Sequence, residues 1–232
     1  MTAPTLWPAS PPVCLPVHGT SQQFPVHRVY CVGRNYAAHA QEMGFSGREP
    51  PFFFLKPNDA LVAIDAGGGT IPYPSLTQDL HHEIELVVAI GQGGQDIEVT
   101  QAMQHVYGYA VGLDMTRRDL QMQMRKEGRP WDIGKGFDAS APIGPITPCA
   151  QAGAIEQASI GLRVNGEVRQ SSTVGHLIWN IAETIAHLSR AWTLQAGDLI
   201  FTGTPEGVGA VQTGDGMVGE VSGLQPITVT VR

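Results

Sequence analysis

Glu83, Glu85 and Asp114 are the residues of this chain whose types and spacing most readily do chemistry. Glu83 and Glu85 head an apolar run, Leu86 to Ile90, and a strand turns successive side chains to opposite faces, so the two carboxylates share a side. Two like charges there repel unless something cationic sits between them. The run is continuous, not alternating, which is the pattern of a strand covered on both faces and carries the acids toward the interior. A second such run, Tyr107 to Leu113, ends at Asp114, which reaches the same point if the two strands are neighbours. Three carboxylates with no Cys alongside suit a hard divalent ion, Mg²⁺ or Mn²⁺, with water completing its shell. The competing reading is the solvated outer face of a half-buried sheet, where Glu-x-Glu is common.

Other candidates are each read two ways. Tyr36 to Met43 is expected as a short helix capped by Asn35, with His39 and Glu42 three apart on one face. They form either a general-base pair, the carboxylate orienting the imidazole, or an ordinary surface contact. Lys135, set between glycines, is either a cation facing developing negative charge or an exposed loop residue. Arg118 and Gln121 follow Asp114 closely enough to hold a ligand near a metal, or they are plain surface groups. His81 and His82 face opposite ways on a strand, so at most one supports the site. The glycines around Thr204 lack the order of a nucleotide-binding loop. Neither a nucleophile elbow nor a zinc-peptidase helix is present.

The elements that must position these groups are mostly strands. In 232 residues with 28 Gly and 17 Pro, the spread of turn formers suits many short strands and few helices. Expected strands include Arg28–Val32, Phe52–Lys56, Leu199–Thr202 and Ile227–Val231. Asn165-Gly166 joins Ile160–Val164 to Glu167–Gln170 as the strongest hairpin signal, and Trp179–Trp192 has the apolar spacing of an amphipathic helix. One main domain, 26–232, is expected behind a Pro-rich arm, 1–25, that is irregular or an edge strand. The net charge of −7, without a basic cluster, argues against nucleic acid and anionic membrane as partners. No stretch is long enough to span a bilayer and the start lacks the regions of a secretory signal. Three scattered cysteines read as reduced thiols, and the expected location is the cytoplasm.

Five segments, taken in order, carry a resemblance: Gly33–His39, His81–Leu86, Gly112–Asp119, Gly134–Asp138 and Thr202–Gly209. Together they resemble the fumarylacetoacetate hydrolase family, over about Val29 to the C-terminus. Within it they are most similar to bacterial fumarylpyruvate hydrolases and related acylpyruvases. The resemblance implies a β-rich α+β fold, a mixed β-sandwich roll of barrel-like shape with a few short helices, usually assembled as a homodimer. It implies Mg²⁺ or Mn²⁺ on Glu83, Glu85 and Asp114, a water-activating dyad of His39 and Glu42 on a lid, and Lys135 near the scissile centre. Arg118, Gln121 and Thr204 fall where such proteins hold a substrate's carboxylate and keto groups. The implied activity is hydrolysis of the carbon–carbon bond of a 3-acylpyruvate such as fumarylpyruvate, within aromatic catabolism. Oxaloacetate decarboxylation or tautomerisation, or the homoprotocatechuate-pathway decarboxylase/isomerase step, is the enzymatic alternative; a metal-dependent dicarboxylate-binding protein is the non-enzymatic one.

Overall fold

Two strands, Ile84–Ile90 and Val106–Leu113, form the spine of the molecule as an antiparallel pair running from Ile84 opposite Leu113 to Ala89 opposite Gly108. In this computed structural model, which describes residues 6–8, 10–37 and 48–232, every residue of Ile84–Ile90 is buried. The continuous apolar run is thereby explained, since both faces of the strand are covered. Ile84, Leu86, Val88 and Ile90 enter one apolar cluster with Val111 and Leu113, while Val87 and Ala89 enter a second with Ala110 and Phe201.

The spine lies within a mixed sheet in the order Phe52–Lys56, Val29–Gly33, Leu199–Phe201, Ile84–Ile90, Val106–Leu113, Ala141–Ile143 and Leu61–Ala63, with Thr147–Pro148 paired beside it. A five-stranded sheet, Glu167–Thr173, Ser159–Val164, Gly216–Val221, Ile227–Val231 and Gly69–Ile71, supplies Ile160, Leu162, Met217 and Ile227 to the first cluster. A small sheet of Thr116–Arg117, Leu80–His82 and Gly209–Ala210 sits where the spine meets the acids. This is the β-rich sandwich roll that the resemblance implies.

Of the two forms expected for the N-terminal segment, irregular arm or edge strand, part of it takes the second. Cys14–Pro16 pairs antiparallel with Gln23–Pro25, and Leu15, Val17, Phe24 and Val26 are buried in the second cluster. Pro16 and Pro25 fit there because a two-stranded edge ribbon tolerates missing donors. Asn165 (φ 53°) and Gly166 (φ 85°) both adopt the left-handed conformations of a tight hairpin turn, as their sequence demands. The helix expected over Trp179–Trp192 runs Ile181–Ala191, shortened because Asn180 caps it. The Asn180 side chain accepts from Glu183 N at 2.9 Å, and the Glu183 carboxylate accepts from Asn180 N at 3.1 Å. The helix Arg118–Lys126 was not readable from apolar spacing, since the residues it buries, Arg118 and Gln121, are polar.

Asn180→Ala removes the reciprocal cap and should lower stability by about 1 kcal/mol. Urea unfolding followed by circular dichroism checks this, with a reduced midpoint at unchanged slope as the expected result.

Candidate metal centre and active site

Glu83 falls at the one-residue interruption between Leu80–His82 and Ile84–Ile90, and Asp114 lies just past the end of Val106–Leu113. Because Ile84 opposes Leu113, the two acids are cross-strand neighbours, and Asp114 N donates to Glu83 O at 2.9 Å. Glu85 belongs to the same face as Val87 and Ala89, so it prolongs their apolar stripe with a carboxylate. The three side chains are buried, and each offers an oxygen within 4.8 Å of the others. The solvated-face reading of Glu83 and Glu85 is thereby excluded.

Cations surround them. Lys135 Nζ donates to Glu83 Oε2 at 2.8 Å, Asp114 Oδ2 at 2.6 Å and Thr116 Oγ1 at 2.7 Å. Lys56 Nζ stands 2.8 Å from Asp114 Oδ1 and also donates to the carbonyls of Met115 and Lys135. The Arg118 guanidinium pairs with Glu83 Oε1 and donates to Gln121 Oε1. Lys135 is thus no exposed loop residue: it ends the short helical turn Asp132–Lys135 with its ammonium fully enclosed. Burial works against that charge, but Asp114 and Glu83 outweigh it and hold the Lys135 pKa above its ordinary value. Glu85 has the opposite balance. Burial, then Asp114 and Glu83, push its pKa well up, against Lys135 and a 2.7 Å hydrogen bond from Gly203 N.

The donor set fits a hard divalent cation. It consists of carboxylate oxygens alone. Asp114 Oδ1 is buried, and the polar group beside it is the Lys56 ammonium at 2.8 Å. The three acids, Arg118, Gln121, Lys135 and Thr204 line one small cavity of about 30 Å³, room for an ion or a water molecule.

Arg118, Gln121 and Thr204, expected as ligand-holding groups, are all buried at this cavity. Gln170, which sequence reading missed, ties Thr204 to Ile84, the residue between the two glutamates. Its Oε1 accepts from Ile84 N at 3.0 Å and faces His82 Nδ1 at 3.1 Å, while its Nε2 donates to Thr204 Oγ1 and Pro205 O, each at 2.8 Å. Burial pushes His82 down to about 4, so it serves this network as a neutral ring. His81 is the histidine nearer the site, through Arg118 Nε at 3.3 Å. Lys56 was missed too; its sole signal was a lysine closing an aromatic strand, Phe52–Lys56. His39, Glu42 and most of the expected helix Tyr36–Met43 lie outside the described residues.

A mixed β-roll that presents a buried carboxylate triad beside a buried lysine and arginine defines a class of metal-dependent enzymes acting on oxo acids. The chain belongs to the fumarylacetoacetate (FAA) hydrolase C-terminal family, whose model matches residues 28–232. It is similar to the crystal structure of fumarylpyruvate hydrolase from Pseudomonas aeruginosa in complex with Mn²⁺ and pyruvate, at 60% identity and a TM-score of 0.96 over 98% of this chain and 99% of that one. A fumarylpyruvate hydrolase of Ralstonia sp is 50% identical over 183 residues, 79% of this chain and 93% of its own. The mitochondrial oxaloacetate tautomerase FAHD1 of Arabidopsis thaliana is 40% identical over 205 residues, 88% of this chain and 91% of its own. Among the described residues no helix is long and apolar enough to cross a membrane.

Glu83→Gln should weaken Mg²⁺ and Mn²⁺ binding in titration calorimetry while leaving the fold intact; unchanged affinity would remove Glu83 from the ligand set. Lys56→Met strips one partner from a buried ion pair, so thermal and urea denaturation should report a loss of about 3 kcal/mol.

Proposed function

We propose that the protein is a metal-dependent hydrolase that splits the carbon–carbon bond of 3-acylpyruvates, with fumarylpyruvate converted to fumarate and pyruvate. The observation that carries this reading is the convergence of Glu83, Glu85, Asp114, Lys135 and Arg118 on one buried cavity, in a chain so similar to fumarylpyruvate hydrolases. Glu83, Glu85 and Asp114 would hold Mg²⁺ or Mn²⁺. When bound, the ion supplies Lewis-acid polarisation of an oxo acid's carboxylate and adjacent keto oxygen.

The protein groups do the rest. Arg118 and Gln121 bind the pyruvyl carboxylate and Thr204 orients the keto oxygen. Their burial supports this, because charge-assisted hydrogen bonds to a carboxylate are strongest where water is excluded. His39, oriented by Glu42, takes a proton from water as the oxygen adds to the distal carbonyl of the acyl group. Collapse of the adduct breaks the bond between that carbon and C3 of the pyruvyl unit, and the electron pair passes into the pyruvate enolate. Lys135 stabilises the developing negative charge with its enclosed ammonium, a role supported by the acids that keep it protonated. Protonation at C3 yields pyruvate, and the other product leaves as a carboxylate.

The likeness to an oxaloacetate tautomerase favours one second reading, in which the same centre only enolises a dicarboxylic oxo acid. The first reading also has the protein working as a cytoplasmic homodimer in aromatic catabolism, and light scattering should then return twice the chain mass.

His39→Ala should retain Mn²⁺ and pyruvate binding but lose about 10² to 10⁴ in turnover of fumarylpyruvate. Fumarylpyruvate, acetylpyruvate and oxaloacetate, each assayed with Mg²⁺ and with EDTA and resolved by product, decide between the readings. Metal-dependent release of pyruvate and fumarate is expected. Oxaloacetate tautomerisation without any acylpyruvate cleavage would replace hydrolysis with the second reading.

A further inference from the structure

Thr204 stands in the wall of the carboxylate cavity with its backbone pinned on both sides. Thr202 N and Thr202 Oγ1 both donate to Leu86 O, at 3.1 Å and 2.9 Å, and Gly203 N donates to Glu85 Oε2 at 2.7 Å. Gly203 turns the chain with φ 99°, packed so closely that a Cβ on it would stand 2.8 Å from Asn35 Cβ. On the far side, Pro205 O accepts from Gln170 Nε2 at 2.8 Å. The position of Thr204 is thereby set, and the freedom left to its side-chain oxygen is rotation of the O–H.

Gln170 settles that rotation. Its amide has one workable orientation, because Ile84 N can only donate and Pro205 O can only accept, so Oε1 faces the first at 3.0 Å and Nε2 the second at 2.8 Å. The other Nε2 proton goes to Thr204 Oγ1, also at 2.8 Å. A hydroxyl that accepts from an N–H keeps its own proton for another partner, and among the described residues Thr204 Oγ1 makes no second hydrogen bond. That proton is left for an acceptor in the cavity. The local fold serves the amide. Gln170 is buried between exposed Arg169 and Ser171 on an edge strand, and the register with Ser159–Val164 shifts beside it, from Gln170 opposite Leu162 to Val168 opposite Arg163. Such a bulge re-aims a side chain. Gly207 lets the turn after Thr204 close on this strand, since a Cβ there would stand 2.1 Å from Arg169 O.

We infer that Gln170 is a positioning residue for the reaction, holding the Thr204 hydroxyl as a hydrogen-bond donor to the keto oxygen of the pyruvyl unit. The inference rests on the acylpyruvate reading above. As the carbon–carbon bond breaks, the keto oxygen becomes the enolate oxygen and negative charge grows on it. A donor aimed there in advance, in a buried site, strengthens with that charge and needs no reorganisation as the bond breaks. The proton stays on Oγ1 throughout, so the hydroxyl stabilises the enolate without transferring anything to it. Without the amide, the O–H rotates and part of its population points away from the substrate.

The test measures kcat and KM for fumarylpyruvate, with Mn²⁺ bound, in the wild type, Gln170→Met, Thr204→Val, Thr204→Ser and the double variant Gln170→Met with Thr204→Val. Thr204→Val should lower kcat about 10²-fold, the scale for one donor at a developing oxyanion, while Thr204→Ser keeps most of it. Gln170→Met should lower kcat about 10-fold, the worth of one neutral hydrogen bond, with KM and the Mn²⁺ affinity in calorimetry little changed. The double variant should fall no lower than Thr204→Val alone, because the amide acts through the hydroxyl; an amide that only braces the fold would multiply the two losses. Should Gln170→Met not fold, Gln170→Glu takes its place in the same cycle, since its ionised carboxylate keeps the acceptor for Ile84 N and offers Thr204 no donor. Multiplied losses, wild-type kcat in Thr204→Val or Gln170→Met, or failure of both Gln170 variants to fold would each overturn the inference. A wild type that cleaves no acylpyruvate would overturn the underlying reading as well, a result distinct from those.

Discussion

Three carboxylates cannot be buried within 4.8 Å of one another without compensation, and the protein meets that constraint with Lys135, Lys56 and Arg118. The compensation is uneven. Glu83 and Asp114 each face two cations, whereas Glu85 leans on a backbone N–H and keeps a raised pKa. Such a site has electrostatic room for a further positive charge. Glu85, the least compensated of the three, gains most from it. The cations also do separate jobs in space. Lys56 holds the carbonyls of Met115 and Lys135, Lys135 bridges two acids, and Arg118 reaches from Glu83 to Gln121.

Legibility from sequence divided along physical lines. Glu83, Glu85 and Asp114 were readable because each stands at the end of an unbroken apolar run, and a charged residue there has few places to go. The hairpin at Asn165-Gly166 and the helix from Ile181 were readable because local turn chemistry and apolar periodicity set them. Lys56 and Gln170 were not, since their meaning lies in distant partners, Asp114 for Lys56 and His82, Ile84 and Thr204 for Gln170, the last three 88, 86 and 34 positions away and brought near only by strand order. Lys135 was ambiguous for the same reason: a lysine between glycines says nothing until three oxygens surround its ammonium. Arg118–Lys126 escaped because its inward face is polar and serves the site, so the usual apolar stripe is missing.

The two ends of the cavity have different characters. At the carboxylate end everything is buried and cross-braced, which suits chemistry that must hold charge in fixed positions away from water. At the other end the cavity shares Phe54 and Trp131 with a more open groove that Phe52 and Phe53 also line. A centre that generates an enolate can serve hydrolysis, decarboxylation or tautomerisation, so the choice of reaction depends on what reaches the acyl half.

Glu83 and Asp114 sit opposite one another in the central strand pair, and this ties assembly of the catalytic centre to correctness of the core. Slipping either strand by one position would send carboxylates toward Ile160 and Met217 and turn Ile84 or Leu113 into the acid site in their stead. Misregistered chains would pay in both oil and charge, so the acids act as proofreaders of the sheet. Deleting or inserting a single residue between positions 83 and 114 within either strand should be rarer among descendants of this chain than many substitutions at the site itself.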